Sequence, residues 1–138
     1  MNWVLDCSLA LAWGLPDESS KRAERFLAEL PKESILSVPA LWWYEISNAL
    51  TVAQRRRRLT ESDNTRLVEL YGSLPIHTDT HLGPEAVWRL QALAHEHTLS
   101  AYDAAYLELA QRKGLGLATL DRSLAAAARK AGVKVARL

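Results

Sequence analysis

Four acidic residues stand where a carboxylate could do chemistry. Asp6 closes the apolar run Trp3-Val4-Leu5, and Asp121 follows Thr119 by two residues after another apolar run. Asp103 falls in the first turn of a helix-like segment opening at Ser100, and Glu45 one turn into another opening at Ala40. Each Asp alone has a structural explanation. An Asp after a strand commonly caps the following helix, and Ser100 with Asp103 has the spacing of a capping box. Glu45 has no such explanation. It shares a helical row with Leu41, Asn48 and Val52, and no Lys or Arg stands three or four residues away. A carboxylate flanked by apolar neighbours is costly unless something compensates it. Gathering several makes this worse: two unit charges about 4 Å apart repel by roughly 4 kcal/mol at an effective dielectric of ~20. A divalent cation removes that repulsion. All-oxygen donors select Mg²⁺ or Mn²⁺ over Zn²⁺, and such ions share their remaining positions with water and substrate phosphate. The chemistry indicated is metal-assisted phosphoryl transfer.

These acids need elements to bring them together. Short apolar runs at Trp3–Leu5, Ile35–Val38, Ile76–Thr78, Leu115–Thr119 and Val133–Ala136 read as strands buried on both faces. Between them, helical spacing covers 8–15 (ended near Pro16), 20–30, 40 to about 57, 61–74, 84–95, 100–113 and 122–131. Alternating strands and helices predict an α/β fold, a central parallel sheet of four to five short strands covered by helices. In such sheets the ligand site lies at the carboxyl ends of the strands, which is where all four acids fall.

The 138 residues fit a single domain over 1–138, long enough to bury a core without staples. One cysteine, Cys7, excludes an internal disulfide framework and a cysteine-based zinc site, and a reducing cytoplasm is the expected compartment. No apolar run has membrane-spanning length, so no membrane partner is expected. The formal charge of +1 argues against a strongly basic nucleic-acid binder, but it conceals an asymmetry. Residues 110–138 carry seven basic side chains and one acid, Asp121, while residues 1–109 are net acidic. If four of the sixteen acids are metal ligands, the twelve others face seventeen bases, a basic surface around an acidic pocket.

Four stretches then match a family in order and nearly end to end: Val4-Leu5-Asp6-Cys7-Ser8; Pro39-Ala40-Leu41 with Glu45-Ile46-Ser47-Asn48-Ala49-Leu50; Ser100-Ala101-Tyr102-Asp103-Ala104-Ala105-Tyr106; and Thr119-Leu120-Asp121-Arg122-Ser123-Leu124. The chain resembles PIN-domain ribonucleases, most closely the VapC-type toxins of bacterial toxin–antitoxin pairs. The resemblance implies a three-layer α/β/α fold and a Mg²⁺- or Mn²⁺-dependent endoribonuclease. It makes Asp6, Glu45, Asp103 and Asp121 the catalytic acids, with Asp6, Asp103 and Asp121 holding metal and Glu45 binding an ion or orienting water. It gives Ser8, Asn48 and Thr119 supporting roles. It further implies an RNA substrate, a small antitoxin partner and a homodimer. Cys7 is expected to be buried and inert.

Other features divide between plain and functional readings. The run Arg55, Arg56, Arg57, Arg58 is either a solvated helix end complementing the dipole or a contact for RNA or antitoxin. His77, His81, His95 and His97 read as surface or cap residues, since His95 and His97 do not share a helical face. Of Trp42, Trp43 and Tyr44, which a helix points in different directions, at least two should serve the core or a dimer interface rather than stack bases. Trp3, Trp13 and Trp88 read as core or interface too. A haloacid-dehalogenase-like phosphatase is disfavoured because it needs a second Asp where Ser8 stands. A phosphoacceptor receiver is disfavoured because it needs an acidic pair at the first strand. A PIN nuclease of RNA processing and a non-catalytic module of the same fold remain as alternatives.

Overall fold

A computed structural model describes residues 1–15 and 20–138. Pro16, the expected end of the first helix, lies outside them. In order, the elements are β1 (Trp3–Leu5), α1 (Cys7–Leu11), α2 (Lys21–Ala28), β2 (Leu36–Pro39), α3 (Leu41–Arg55), α4 (Glu61–Ser73), β3 (Ile76–Asp79), α5 (Pro84–His97), α6 (Ala101–Lys113), β4 (Gly116–Ala118) and α7 (Arg122–Lys130).

The strands form one sheet in the order β3-β2-β1-β4, and every pairing is parallel. Parallel neighbours cannot be joined by a hairpin, so helices make the crossovers and flank the sheet. Their sequence is apolar enough to do so. Val4, Leu5, Leu36, Val38, Leu117 and Ala118 are fully buried in the sheet, and Leu9, Trp42, Tyr106, Leu107, Leu109 and Leu124 are buried from the helices. α5 and α6 pack against each other, and α6 lies along β1, β2 and β4. The Tyr71 hydroxyl on α4 donates to the Ala10 carbonyl at 2.8 Å, tying that helix to α1.

Two local features fix β4 beside β1. Gly116 leaves room for an indole: a Cβ there would lie 2.5 Å from Cζ3 of Trp3. Gly114 ends α6 in the left-handed conformation at φ 63°, which glycine adopts without strain. The expected fifth strand is reduced to a single bridge between Leu117 and Val135. β4 is only three residues long, and beyond the two hydrogen bonds around Leu117 it offers Val133–Ala136 no further ladder. Helix α5 also runs two residues past the expected end at His95, stopping where Thr98 turns left-handed at φ 53°.

Candidate active site

The chain order reverses between β1 and β4. β1, β2 and β3 are laid down in one direction, and the chain then returns to the other side of β1. A crevice opens at such a switch point, outside the carboxyl ends of the two strands. Asp6 follows β1 directly and Thr119–Asp121 follow β4. The sheet pairing continues one residue further, as the Asp6 amide donates to the Ala118 carbonyl at 3.0 Å.

Asp6 is buried, 6% exposed, and its Oδ2 is doubly held. The Ser8 hydroxyl donates to it at 2.7 Å and the Thr119 hydroxyl at 2.6 Å. The same hydroxyls are held in turn by backbone: the Leu120 amide donates to Ser8 Oγ at 3.0 Å and the Asp121 amide to Thr119 Oγ1 at 2.9 Å. Both hydroxyls therefore lock one carboxylate oxygen and the turn after β4, and neither is spent on Oδ1. Asp6 occupies the N-cap position of α1 without a side-chain cap bond, so its carboxylate is not spent on the helix. Asp121 is spent in part. It caps α7, accepting from the Leu124 amide at 3.1 Å through Oδ1.

Asp103 comes from the first turn of α6, where Ser100 is the cap and accepts from the Asp103 amide at 3.0 Å. Glu45 comes from α3, half-buried, and its compensating partner is a residue sequence reasoning passed over. The hydroxyl of Tyr106, fully buried on α6, donates to Glu45 Oε1 at 2.5 Å. The Cys7 thiol also hydrogen-bonds Glu45. Cys7 is thus half-buried and in contact with a site acid rather than buried and inert.

Electrostatics bind the four acids into one unit. Burial pushes the Asp6 carboxyl above its ordinary value despite the two hydroxyls, and Asp121 and Asp103 push it further. Burial raises Glu45 against its Tyr106 bond, aided by Asp6 and Asp103. Burial raises Asp103, aided by Asp121. The group carries more negative charge than the protein answers. Among the described residues, no three His, Cys, Asp or Glu side chains are set closely enough to hold an ion by themselves. A hard divalent cation still fits the donor set, which is all carboxylate oxygen and forms no ion pair with a Lys or Arg among the described residues. It would complete its shell with water or substrate oxygens, as Mg²⁺ commonly does.

Comparison with known proteins decides the family. The model of the PIN domain matches residues 3–130. This chain belongs to the PIN-domain family. Its sequence relatives include Ribonuclease VapC3 of Pyrobaculum aerophilum, 34% identical over 91% of this chain and 93% of the relative. Ribonuclease VapC9 of Mycobacterium tuberculosis is 33% identical over 88% and 87%. A crystal structure from Pyrobaculum aerophilum superposes with TM-score 0.70 at 26% identity, covering 98% of this chain and 83% of that one. A toxin–antitoxin complex from Klebsiella pneumoniae shares the fold, with TM-score 0.62 and 18% identity over 90% of each chain.

Other expected site residues of this PIN domain lie apart from the acids or only beside them. Asn48, exposed on α3, enters none of the hydrogen bonds described above. Arg55 is ten residues past Glu45 on the same helix, about 15 Å along its axis. The run then leaves the helix, with Arg57 left-handed at φ 57°. The aromatic triplet splits: Trp42 is fully buried, Trp43 is 39% exposed and Tyr44 is 78% exposed. Trp3 is core, whereas Trp88 is 77% exposed. His97 is a correction. It closes α5 with its side chain 5% exposed, and Nδ1 is buried without a hydrogen-bond partner among the described residues.

Proposed function

We propose that this PIN domain, a single domain over 1–138, is a metal-dependent endoribonuclease and the toxin of a toxin–antitoxin pair. The observation that carries the reading is the set of mutually repelling carboxylates gathered at the switch point of the sheet. The sequence relatives named as VapC ribonucleases supply the substrate class. An antitoxin partner, a homodimer and a cytoplasmic setting belong to the same proposal. Among the described residues no helix is long and apolar enough to cross a membrane.

The residue roles proposed are these. Asp6, through Oδ1, and Asp103 and Asp121 hold Mg²⁺ or Mn²⁺. Glu45, with one oxygen taken by Tyr106, offers the other to an attacking water or to the ion. Ser8 and Thr119 fix the Asp6 carboxylate. When bound, the ion lowers the pKa of a bound water and stabilises charge developing on the phosphate. Asn48 is proposed as a supporting residue at the rim.

The test is RNA cleavage by the purified chain. EDTA should abolish it, and Mg²⁺ or Mn²⁺ should restore it. Asp6→Asn and Asp103→Asn should each fold and lose cleavage by two orders of magnitude or more, about 3 kcal/mol of transition-state stabilisation. A folded Asp6→Asn variant that cuts at full rate would sink the assignment.

A further inference from the structure

Of the two basic regions in the sequence, the Arg55–Arg58 run and the segment 110–138, the second contributes to a cleft beside Asp121. The run Arg55–Arg58 begins about 15 Å along a helix from Glu45, yet three other arginines share a cleft with Asp121, one of the acids. Arg22 from α2 and Arg122 and Arg129 from α7 line one cleft of about 360 Å³. Its other wall is Thr119, Leu120 and Asp121, the turn that holds the Asp6 carboxylate. All three arginines are exposed, and none forms an ion pair with another described residue.

The local sequence explains the arrangement. Arg122, Ala125 and Arg129 recur at i, i+3 and i+7 on α7, so they share one face of the helix. The small side chain of Ala125 keeps the floor between the two guanidinium groups low. Arg129 lies two turns beyond Arg122, about 10 Å along the axis, so the charges form a row that starts next to Asp121. The row continues. Arg22 also borders an adjoining cleft of about 250 Å³ with Arg25 and Arg137, where Glu29 is the one acid among the described lining residues.

Guanidinium groups that line one cleft with no ion pair among the described residues are open to an incoming anion, and a guanidinium matches phosphate oxygens in a two-pronged geometry. A polymer whose scissile phosphate lies at the acids must place its next phosphates in a neighbouring groove. This cleft meets the acids at Asp121, and its three arginines outnumber that one acid among its described side chains. We propose that the cleft of Arg22, Arg122 and Arg129 is the RNA-backbone track of this enzyme, binding the phosphates that flank the cleavage point on the α7 side. The proposal rests on the ribonuclease reading above. It assigns the track to these three residues rather than to Arg55–Arg58.

The experiment measures binding of a fluorescein-labelled, mixed-sequence single-stranded RNA in Mg²⁺ as salt is varied, in an Asp103→Asn background that removes cleavage. Each phosphate contact contributes roughly 0.7 to the slope of log affinity against log salt for a single strand. Arg122→Gln/Arg129→Gln should flatten the slope by about 1.4 and weaken binding several-fold at low salt. Arg122→Lys/Arg129→Lys should restore most of the slope, because charge is kept. In the cleaving enzyme the Gln pair should raise KM with little change in kcat. Circular dichroism and the melting midpoint should match the parent, since both positions are exposed. An unchanged slope with both Gln substitutions overturns the track. So does loss of slope only when Arg55–Arg58 are neutralised, or an effect confined to antitoxin binding. A parent chain that neither binds nor cuts RNA overturns the ribonuclease reading as well, which separates the two failures.

Discussion

A half-buried carboxylate needs a partner, and for Glu45 the need was legible in the sequence while the partner was not. The helical row around Glu45 offers no cation, so something outside α3 must compensate it. Tyr106 does so from 61 residues away in the chain, through a bond that only tertiary packing creates. The Tyr106 hydroxyl, buried and facing Glu45, Cys7 and Asp6, is held far above its ordinary pKa and stays a donor. The role proposed for it is positioning, since it occupies Oε1 and leaves Oε2 for the site. Tyr106→Phe should therefore keep the fold but leave that oxygen without a donor, a penalty of about 1 kcal/mol for a group still partly open to water. The Mg²⁺ concentration for half-maximal cleavage should rise and kcat should fall, with KM for RNA nearly unchanged. A purely structural role would instead lower the melting midpoint and leave the metal response alone. His97 shows the reverse case. Spacing on the helix said only that it did not share a face with His95, and nothing in the sequence said that its ring would be enclosed.

At the scale of elements, caps and catalytic acids use the same positions, so either reading of an Asp alone was sound. Asp121 caps α7 through Oδ1 and also acts electrostatically on Asp103, where the proposed function makes it a metal ligand. The two roles can be separated because Asn caps as well as Asp. Asp121→Asn should leave the unfolding free energy within a few tenths of a kcal/mol of the parent and abolish cleavage. Asp121→Ala should lose cleavage and also about 1 kcal/mol of stability. Equal stability of the two variants would remove the cap from the argument. A second element-scale device lies away from the acids. Arg112 on α6 donates to Asp79 at the end of β3 at 2.6 Å and to Glu108 at 2.8 Å. Glu108 is only 7% exposed, so Arg112→Ala strands a buried carboxylate and should cost about 1–3 kcal/mol in denaturant unfolding, with cleavage at permissive temperature retained. Strand and helix order were readable because each short apolar run ends at a polar or proline residue. The fifth strand was misjudged because pairing depends on the length of its neighbour β4, which Val133–Ala136 does not encode.

For the whole molecule, the decisive fact is that folding brings like charges together. The unfolded chain keeps the acids apart and in water, whereas the folded chain buries Asp6, Glu45 and Asp103 near one another, and burial first, with the neighbouring acids adding to it, raises all three pKa values. The folded state then binds protons more tightly than the unfolded state. Stability falls as pH rises from the ordinary carboxyl values, 3.8 for Asp and 4.5 for Glu, through the raised folded values. Asp79 runs the opposite way. Burial raises it, but the bonds and charge of Arg112 outweigh burial, so its contribution is present above 3.8 and is lost only as pH falls below that. In the window above 4.5 the site acids dominate. The metal-free protein should accordingly melt at a higher temperature in mildly acidic buffer than at neutral pH. Mg²⁺ should raise the melting midpoint at neutral pH, where the carboxylates are ionised, and much less in acid. Asp6→Asn should raise the midpoint of the EDTA-treated protein at neutral pH and blunt the response to Mg²⁺. These follow if the acids are held together against the cost of burying charge and against their own repulsion, both of which an ion would relieve. Thermal melts across the two buffers, with EDTA or Mg²⁺, check all of them together. A metal-free midpoint that climbs steadily toward neutral pH would mean that the acids are already neutralised by the protein, and the metal would then have no repulsion to relieve.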